Sequence, residues 1–130
     1  MNTDFQPLKP PIALFLLGPA ASGKSTLARA WVRYQCGQGN PWCLIDKDSA
    51  GALLAPALLA ALGHDPNDRD SPAFKAHVRD LEYRTALAMA AEQLELGINV
   101  VLPAPWTREL ANGSLFDSQA LGFPLGTALA

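Results

Sequence analysis

The 130-residue chain has only two cysteines and two histidines, and neither type is grouped. Cys36 and Cys43 have no metal-ligand spacing, and His64 and His77 have no partners at ligand or triad spacing. Zinc centres and histidine-based nucleophilic triads are therefore set aside. The interval between the cysteines leaves a disulfide open; two thiols in a reducing compartment are the expectation. Charge is also sparse. Charged residues make up 17% of the chain and the net charge is −2, with Lys and Arg scattered. The lack of a basic stripe argues against a domain that grips duplex nucleic acid through its backbone. A nucleic-acid end, which needs only a few contacts, stays open as a substrate. No apolar run is long enough to cross a bilayer. The greasy stretch 12–21 has the length of a secretory core, but only Lys9 precedes it and Pro10 and Pro11 interrupt it. A cytoplasmic protein without membrane association is expected, and there is no internal repeat.

What is present centres on residues 18–26, Gly-Pro-Ala-Ala-Ser-Gly-Lys-Ser-Thr, a full match to G-x-x-x-x-G-K-[ST]. In such a loop Gly18 and Gly23 let backbone N–H groups turn toward an anionic oligophosphate. Lys24 reaches the outer phosphates, and Ser25 places a hydroxyl on Mg²⁺. Pro19, Ala20, Ala21, Ser22 and Thr26 complete the nucleotide-binding segment. The flanks fit the motif. Residues 12–17 form a continuous apolar run, as a parallel strand buried on both faces requires. After the loop, Leu27, Ala30, Trp31 and Tyr34 fall at helical spacing, and Gly37 is placed to end the helix in a left-handed cap. A glycine-rich surface turn would need neither flank.

Around this motif, residues 1–11 read as a loose lead-in with three prolines, and 24–36 as the first helix. A turn cluster at 37–41 leads to a second apolar run at 42–45, which ends in Asp46-Lys47-Asp48. The segment 50–62 predicts a helix broken at Pro56 and stopped at Gly63. Residues 64–71 are the most polar stretch, a loop, and Ser71-Pro72 suits the start of a helix. That helix is expected to run over 72–96, with Phe74, Val78, Leu81, Thr85 and Ala88 on its buried face. A third strand follows at 98–102, and Thr107 is placed to cap a last short helix. Beyond Asn112 no period is sustained, so 12–111 is taken as one nucleotide-binding domain and 112–130 as an irregular tail. Alternating strands and helices imply an α/β three-layer sandwich with a parallel sheet. Its ligand crevice then lies at the carboxyl ends of the strands.

Asp46 and Asp48 sit at that end of strand two, their side chains expected to point the same way. One carboxylate suits a Mg²⁺-bound water, the other the proton of an attacking hydroxyl. The alternative is an acidic turn in which Asp48 caps the next helix. Arg79 and Arg84 are placed to reach an acceptor phosphate or to pair with acids on an exposed helix face. Arg108 falls at the crevice rim, either touching substrate or solvated. Trp106 is placed to stack on a ligand or to pack at an edge, while Trp31 and Phe74 read as core.

The loop at 18–26, Leu-Ile-Asp-Lys-Asp at 44–48 and strand three running into Ala104-Pro105-Trp106 resemble small P-loop kinases. The likeness is to AAA-like ATP-binding proteins grouped with zeta toxins and the kinase domain of polynucleotide kinase, and it covers about residues 12–110. The resemblance implies a P-loop NTPase fold of the nucleotide-kinase type, ATP and Mg²⁺ as cofactors, and γ-phosphoryl transfer to a hydroxyl acceptor. It matches Asp48 to the acceptor-activating aspartate, Asp46 to a supporting carboxylate that with Ser25 holds the metal, and Lys24 to the catalytic lysine. Such kinases continue through further strands and an arginine-bearing lid that have no counterpart here, which implies a chain truncated in its C-terminal half. An uncovered sheet edge is then expected to invite self-association. Two other readings stay open. A GTPase would need Asn-Lys-x-Asp, which does not occur, and a motor ATPase an apolar run ending in Asp-Glu, also missing. A nucleotide-binding remnant without catalysis is the third.

Overall fold

A computed structural model describes residues 10–124. The expected lead-in over 1–9 and the tail over 125–130 lie outside the described residues. Strands β1 (Ala13–Leu16), β2 (Trp42–Leu44) and β3 (Asn99–Pro103) form one parallel sheet in the order β1-β3-β2. The helices are α1 (Lys24–Gly37), α2 (Lys47–Gly51), α3 (Leu54–Ala61), α4 (Pro72–His77), α5 (Arg79–Glu95), α6 (Thr107–Ala111) and α7 (Ser118–Leu121), with a 3₁₀ turn at Ser114–Phe116. The α/β class with a parallel sheet holds.

Register explains where the core sits. Val100 pairs with Ala13 and Cys43, and Val101 with Leu14 and Leu44, so β3 is flanked on both edges. Val100, Val101 and Leu102 are fully buried. Each such side chain stabilises the fold by about 1.5–3 kcal/mol through transfer from water. On one face Val100 and Leu102 meet Tyr83, Ala86, Leu87 and Ala90 of α5. Alternation turns Val101 to the other face, where α1 packs on β2 and β3.

Several expected stripes shift. On α1, Leu27 and Tyr34 are 60% and 62% exposed, and the buried line runs through Ala28, Trp31 and Val32 instead. Trp31 belongs to both lines and packs edge-on to Trp42, 5.4 Å between ring centroids, but it is Ala28 and Val32, not Leu27, Ala30 and Tyr34, that turn inward with it. The helix ends in Gln38, and the left-handed residue is Gly39, not Gly37. The break in 50–62 falls at Ala52-Leu53, while Pro56 sits in the first turn of α3, where its missing N–H costs nothing.

The expected helix over 72–96 is two helices parted at Val78, whose φ opens to −119° while its ψ of −45° stays helical. Before the kink, Phe74 and Val78 pack with Ala55 and Leu59 in a second core. After it, α5 turns Tyr83, Ala86 and Leu87 onto the sheet, leaving Leu81, Thr85 and Ala88 exposed. A single straight helix would not serve both cores.

The segment past Asn112 is also more ordered than its pattern suggests. Leu115, Leu121 and Phe123 are buried in the principal core, with the Phe123 ring stacked 6.5 Å from Phe15. The outer edge of β1 pairs with no strand among the described residues. No helix among them is long and apolar enough to cross a membrane.

Candidate functional site

The β1–α1 connection is shaped by backbone before side chains. Ala21 and Gly23 take φ of 59° and 88°, both left-handed, which reverses the chain so that α1 starts at Lys24. A Cβ on Gly18 would come within 3.0 Å of Ser22 Oγ and 3.4 Å of Lys24 Cδ, so a side chain there would have to push those groups aside by a few tenths of an ångström. Lys24 folds back across it, its Nζ donating to the Pro19 carbonyl at 2.5 Å and lying 3.4 Å from Ser22 Oγ. The ammonium thus sits over a turn whose N–H groups are positioned for an anion.

Ser25, one residue into α1, donates its hydroxyl to Asp46 Oδ2 at 3.2 Å. The other oxygen of Asp46 accepts the N–H of Asp48 at 2.9 Å and so caps α2. Asp46 is 9% exposed with both oxygens engaged. Asp48 differs: its side chain is 67% exposed, pairs with Lys47 at 2.7 Å and lies 3.7 Å from Arg69 Nη2. The two aspartates therefore do not face the same way, and the cap belongs to Asp46 rather than Asp48. Ser25 and Asp46 supply hard oxygen donors that fit a Mg²⁺ ion, which keeps most of its ligands as water and phosphate. Among the described residues no cluster of three or more His, Cys, Asp or Glu side chains competes as a metal centre.

An open cleft of about 1160 Å³ spreads from this loop to the starts of α2, α5 and α6. Lys24, Ser25, Asp48, Arg69 and Arg79 all line it. Arg79 forms a two-pronged pair with Glu109, 2.9 Å on each prong, above the Tyr83 ring at 4.0 Å. Burial pulls the Glu109 carboxyl up, but the Arg79 hydrogen bonds, a backbone N–H and the charges of Arg79 and Arg108 together outweigh it and hold Glu109 below the usual carboxylate range. The same hydrogen bonds raise the Arg79 guanidinium above its already high value. Burial pushes the Tyr83 phenol up. Arg108 lines the rim, bound to Asp80 at 2.6 Å.

Arg84 stands exposed and does not line the cleft. Trp106 is not a stacking platform: it is 1% exposed, donates Nε1–H to Leu102 O at 3.0 Å, and packs edge-on to Phe15 and Tyr83. Arg69, which sequence reasoning passed over, reaches the cleft wall and binds Glu82. Its signal was present: it is the only Arg or Lys in the polar loop 64–71, set among Asp65, Asp68 and Asp70.

A family model described as an AAA domain matches residues 14–125, taking in the segment past Asn112. Among solved structures, a proposed kinase from Chloroflexus aurantiacus J-10-fl aligns over 90% of this chain at 19% identity, with a TM-score of 0.58. A chain of the Pnkp1/Rnl/Hen1 complex aligns over 85% at 21% identity, with a TM-score of 0.51. At such identities the likeness shows the fold. The chain spans 57% and 33% of the lengths of those two structures. No curated protein sequence matches it.

Proposed function

The chain belongs to the AAA domain family, in its P-loop kinase-like group, and on that premise we propose that it binds Mg·ATP and transfers the γ-phosphoryl group to a hydroxyl acceptor. The observation that carries this reading is the hydrogen bond from Ser25 Oγ to Asp46 Oδ2. It joins the phosphate loop to the end of β2, and this supports assigning Ser25 and Asp46 to the metal and Asp48, which lines the cleft with Lys24 and Ser25, to the acceptor. Ser25 would ligate Mg²⁺ directly and Asp46 through water, and the ion would neutralise charge on the phosphate oxygens. Lys24 exchanges the Pro19 carbonyl for phosphate oxygens. Asp48, paired with Lys47, takes the proton of the acceptor hydroxyl. The acceptor oxygen forms its bond to the γ-phosphorus as the bond to the bridging oxygen breaks, and that electron pair leaves with ADP. Free thiols at Cys36 and Cys43 and the use of ATP support a cytoplasmic setting.

Calorimetric titration of Mg·ATP tests the premise. An ammonium on two phosphates contributes about 1.5–3 kcal/mol, so Lys24→Ala is expected to weaken binding about tenfold or more. Equal affinity in variant and parent would overturn it. A second reading, nucleotide binding without transfer, is favoured by the outer edge of β1, which no described strand covers. It predicts Mg·ATP binding with no product on any hydroxyl acceptor, and concentration-dependent self-association through that edge.

A further inference from the structure

On the wall facing the phosphate loop, Glu82 of α5 has a side chain only 4% exposed, wedged between α2 and α5. The fold makes room for it by omission: a Cβ at Gly51 would collide with the Glu82 carboxylate. Its partner is Arg69, whose Nη2 lies 3.0 Å from both carboxylate oxygens. Arg69 comes from the loop 64–71 and lies over the Phe74 ring at 4.8 Å, with 41% of its side chain exposed toward the cleft. Its Nη2 is also 3.7 Å from Asp48 Oδ1, too long for a hydrogen bond. Among the described residues, Nη1 and Nε make no hydrogen bond. A buried carboxylate is a poor source of stability, because desolvation offsets the attraction it gains. Here it fixes one guanidinium through Nη2, on a residue that lines the cleft together with Asp48, and leaves Nη1 and Nε without a hydrogen-bond partner among the described residues. Lys75 lines the same cleft and has no ion pair among the described residues.

We propose that Arg69, oriented by Glu82, binds an anionic group of the acceptor, so that the acceptor is a hydroxyl compound carrying a phosphate or carboxylate. This rests on Asp48 marking the acceptor side, as argued above. The guanidinium fork matches either anion through paired N–H donors. An anion there also competes with Asp48 for Arg69, which leaves Asp48 free for the acceptor hydroxyl. Glu82 is a positioning residue and touches no substrate.

Inorganic phosphate is the probe, titrated into the full chain carrying Lys24→Ala so that the phosphate loop is disabled, and followed by amide NMR shifts. Adding Arg69→Ala is expected to weaken phosphate binding about tenfold, with Arg69→Lys intermediate. In the parent background, Arg69→Ala should leave Mg·ATP affinity within about twofold. Should Arg69→Ala unfold the chain by stranding Glu82, Arg69→Ala combined with Glu82→Gln removes the uncompensated charge and carries the same expectation. Phosphate binding that is absent in Lys24→Ala, or indifferent to Arg69, overturns the proposal. So does an equal loss of Mg·ATP affinity, which would assign Arg69 to the nucleotide. Failure of the nucleotide reading is separate: the parent would then bind Mg·ATP no better than Lys24→Ala, whatever the phosphate titration gives. Matched acceptors, glycerol against glycerol 3-phosphate and glycerate, then distinguish the two anions.

Discussion

The two walls of the cleft are built from different materials. The phosphate-loop wall spans nine consecutive residues, and its shape comes from left-handed backbone at Ala21 and Gly23 with a single cation, Lys24, laid across it. The facing wall is assembled from side chains far apart in sequence: Arg69 with Glu82, Arg79 with Glu109, Arg108 with Asp80. Backbone N–H groups make a rigid site for a ligand of fixed chemistry, such as a polyphosphate. Paired side chains are adjustable by substitution, which suits the half that selects an acceptor. On the proposed function, one wall would supply affinity for the nucleotide and the other selectivity for the acceptor.

The largest effect that would sharpen this contrast is at Asp48. Asp48→Asn keeps size and polarity but takes no proton, so phosphoryl transfer should fall by ~10²–10⁴. Mg·ATP affinity, set by the other wall, should hold within about twofold. Unchanged turnover in Asp48→Asn, or a matching loss of nucleotide binding, would break the division of labour.

Next is the ion pair that fastens α6 to α5. Arg79 and Glu109 have side chains 14% and 13% exposed, so removing one charge strands the other. Glu109→Gln should lower stability by about 2–4 kcal/mol in urea unfolding, with m unchanged. The pH dependence has a definite sign. Glu109 has an ordinary value of 4.5 and a lower one in the folded chain. The pair's contribution is therefore complete above the ordinary value and is lost as pH falls through the depressed one. Below about pH 4.5 the parent should lose stability more steeply than Glu109→Gln. Parallel curves would mean that the pair contributes nothing.

The smallest expected effect lies in the backbone wall. Ala21 is held at φ 59°, a region that costs a residue with a Cβ about 1–2 kcal/mol. Glycine removes that strain but loses ~0.5–1 kcal/mol to the entropy of the unfolded chain. Ala21→Gly should be stabilising by about 0.5 kcal/mol, read as a small rise in Tm. A clear destabilisation would show that the Cβ of Ala21 makes contacts outweighing its strain.

The same contrast decides what the sequence could disclose. Gly18 to Thr26 was legible because every requirement of the loop is local, and the Ser25–Asp46 contact followed from placing a strand end beside it. The kink at Val78 was not legible: its periodic stripe continues through Leu81 and Thr85, and only the second core around Leu59 explains why the helix turns there. Arg69 stayed hidden because its partner Glu82 sits beyond that kink, in space opened by the missing side chain at Gly51. On α1 Trp31 was read as inward-facing, but whether Leu27 and Tyr34 or Ala28 and Val32 turn inward with it depends on how the helix lies on β2 and β3. The burial of Leu115, Leu121 and Phe123 arises from contacts with β1 and β3, with no local period to announce it.

Asp46 joins the two walls. One of its oxygens accepts from Ser25 and the other from the amide of Asp48. A single carboxylate therefore joins the loop at 18–26 to the first turn of α2, the two places that the proposed function gives to nucleotide and acceptor. Any rotation of Asp46 when Ser25 engages a ligand is transmitted to the first residues of α2. Linkage makes such coupling reciprocal. If a ligand in the loop changes the affinity at Asp48, a ligand at Asp48 changes the affinity of the loop by the same factor.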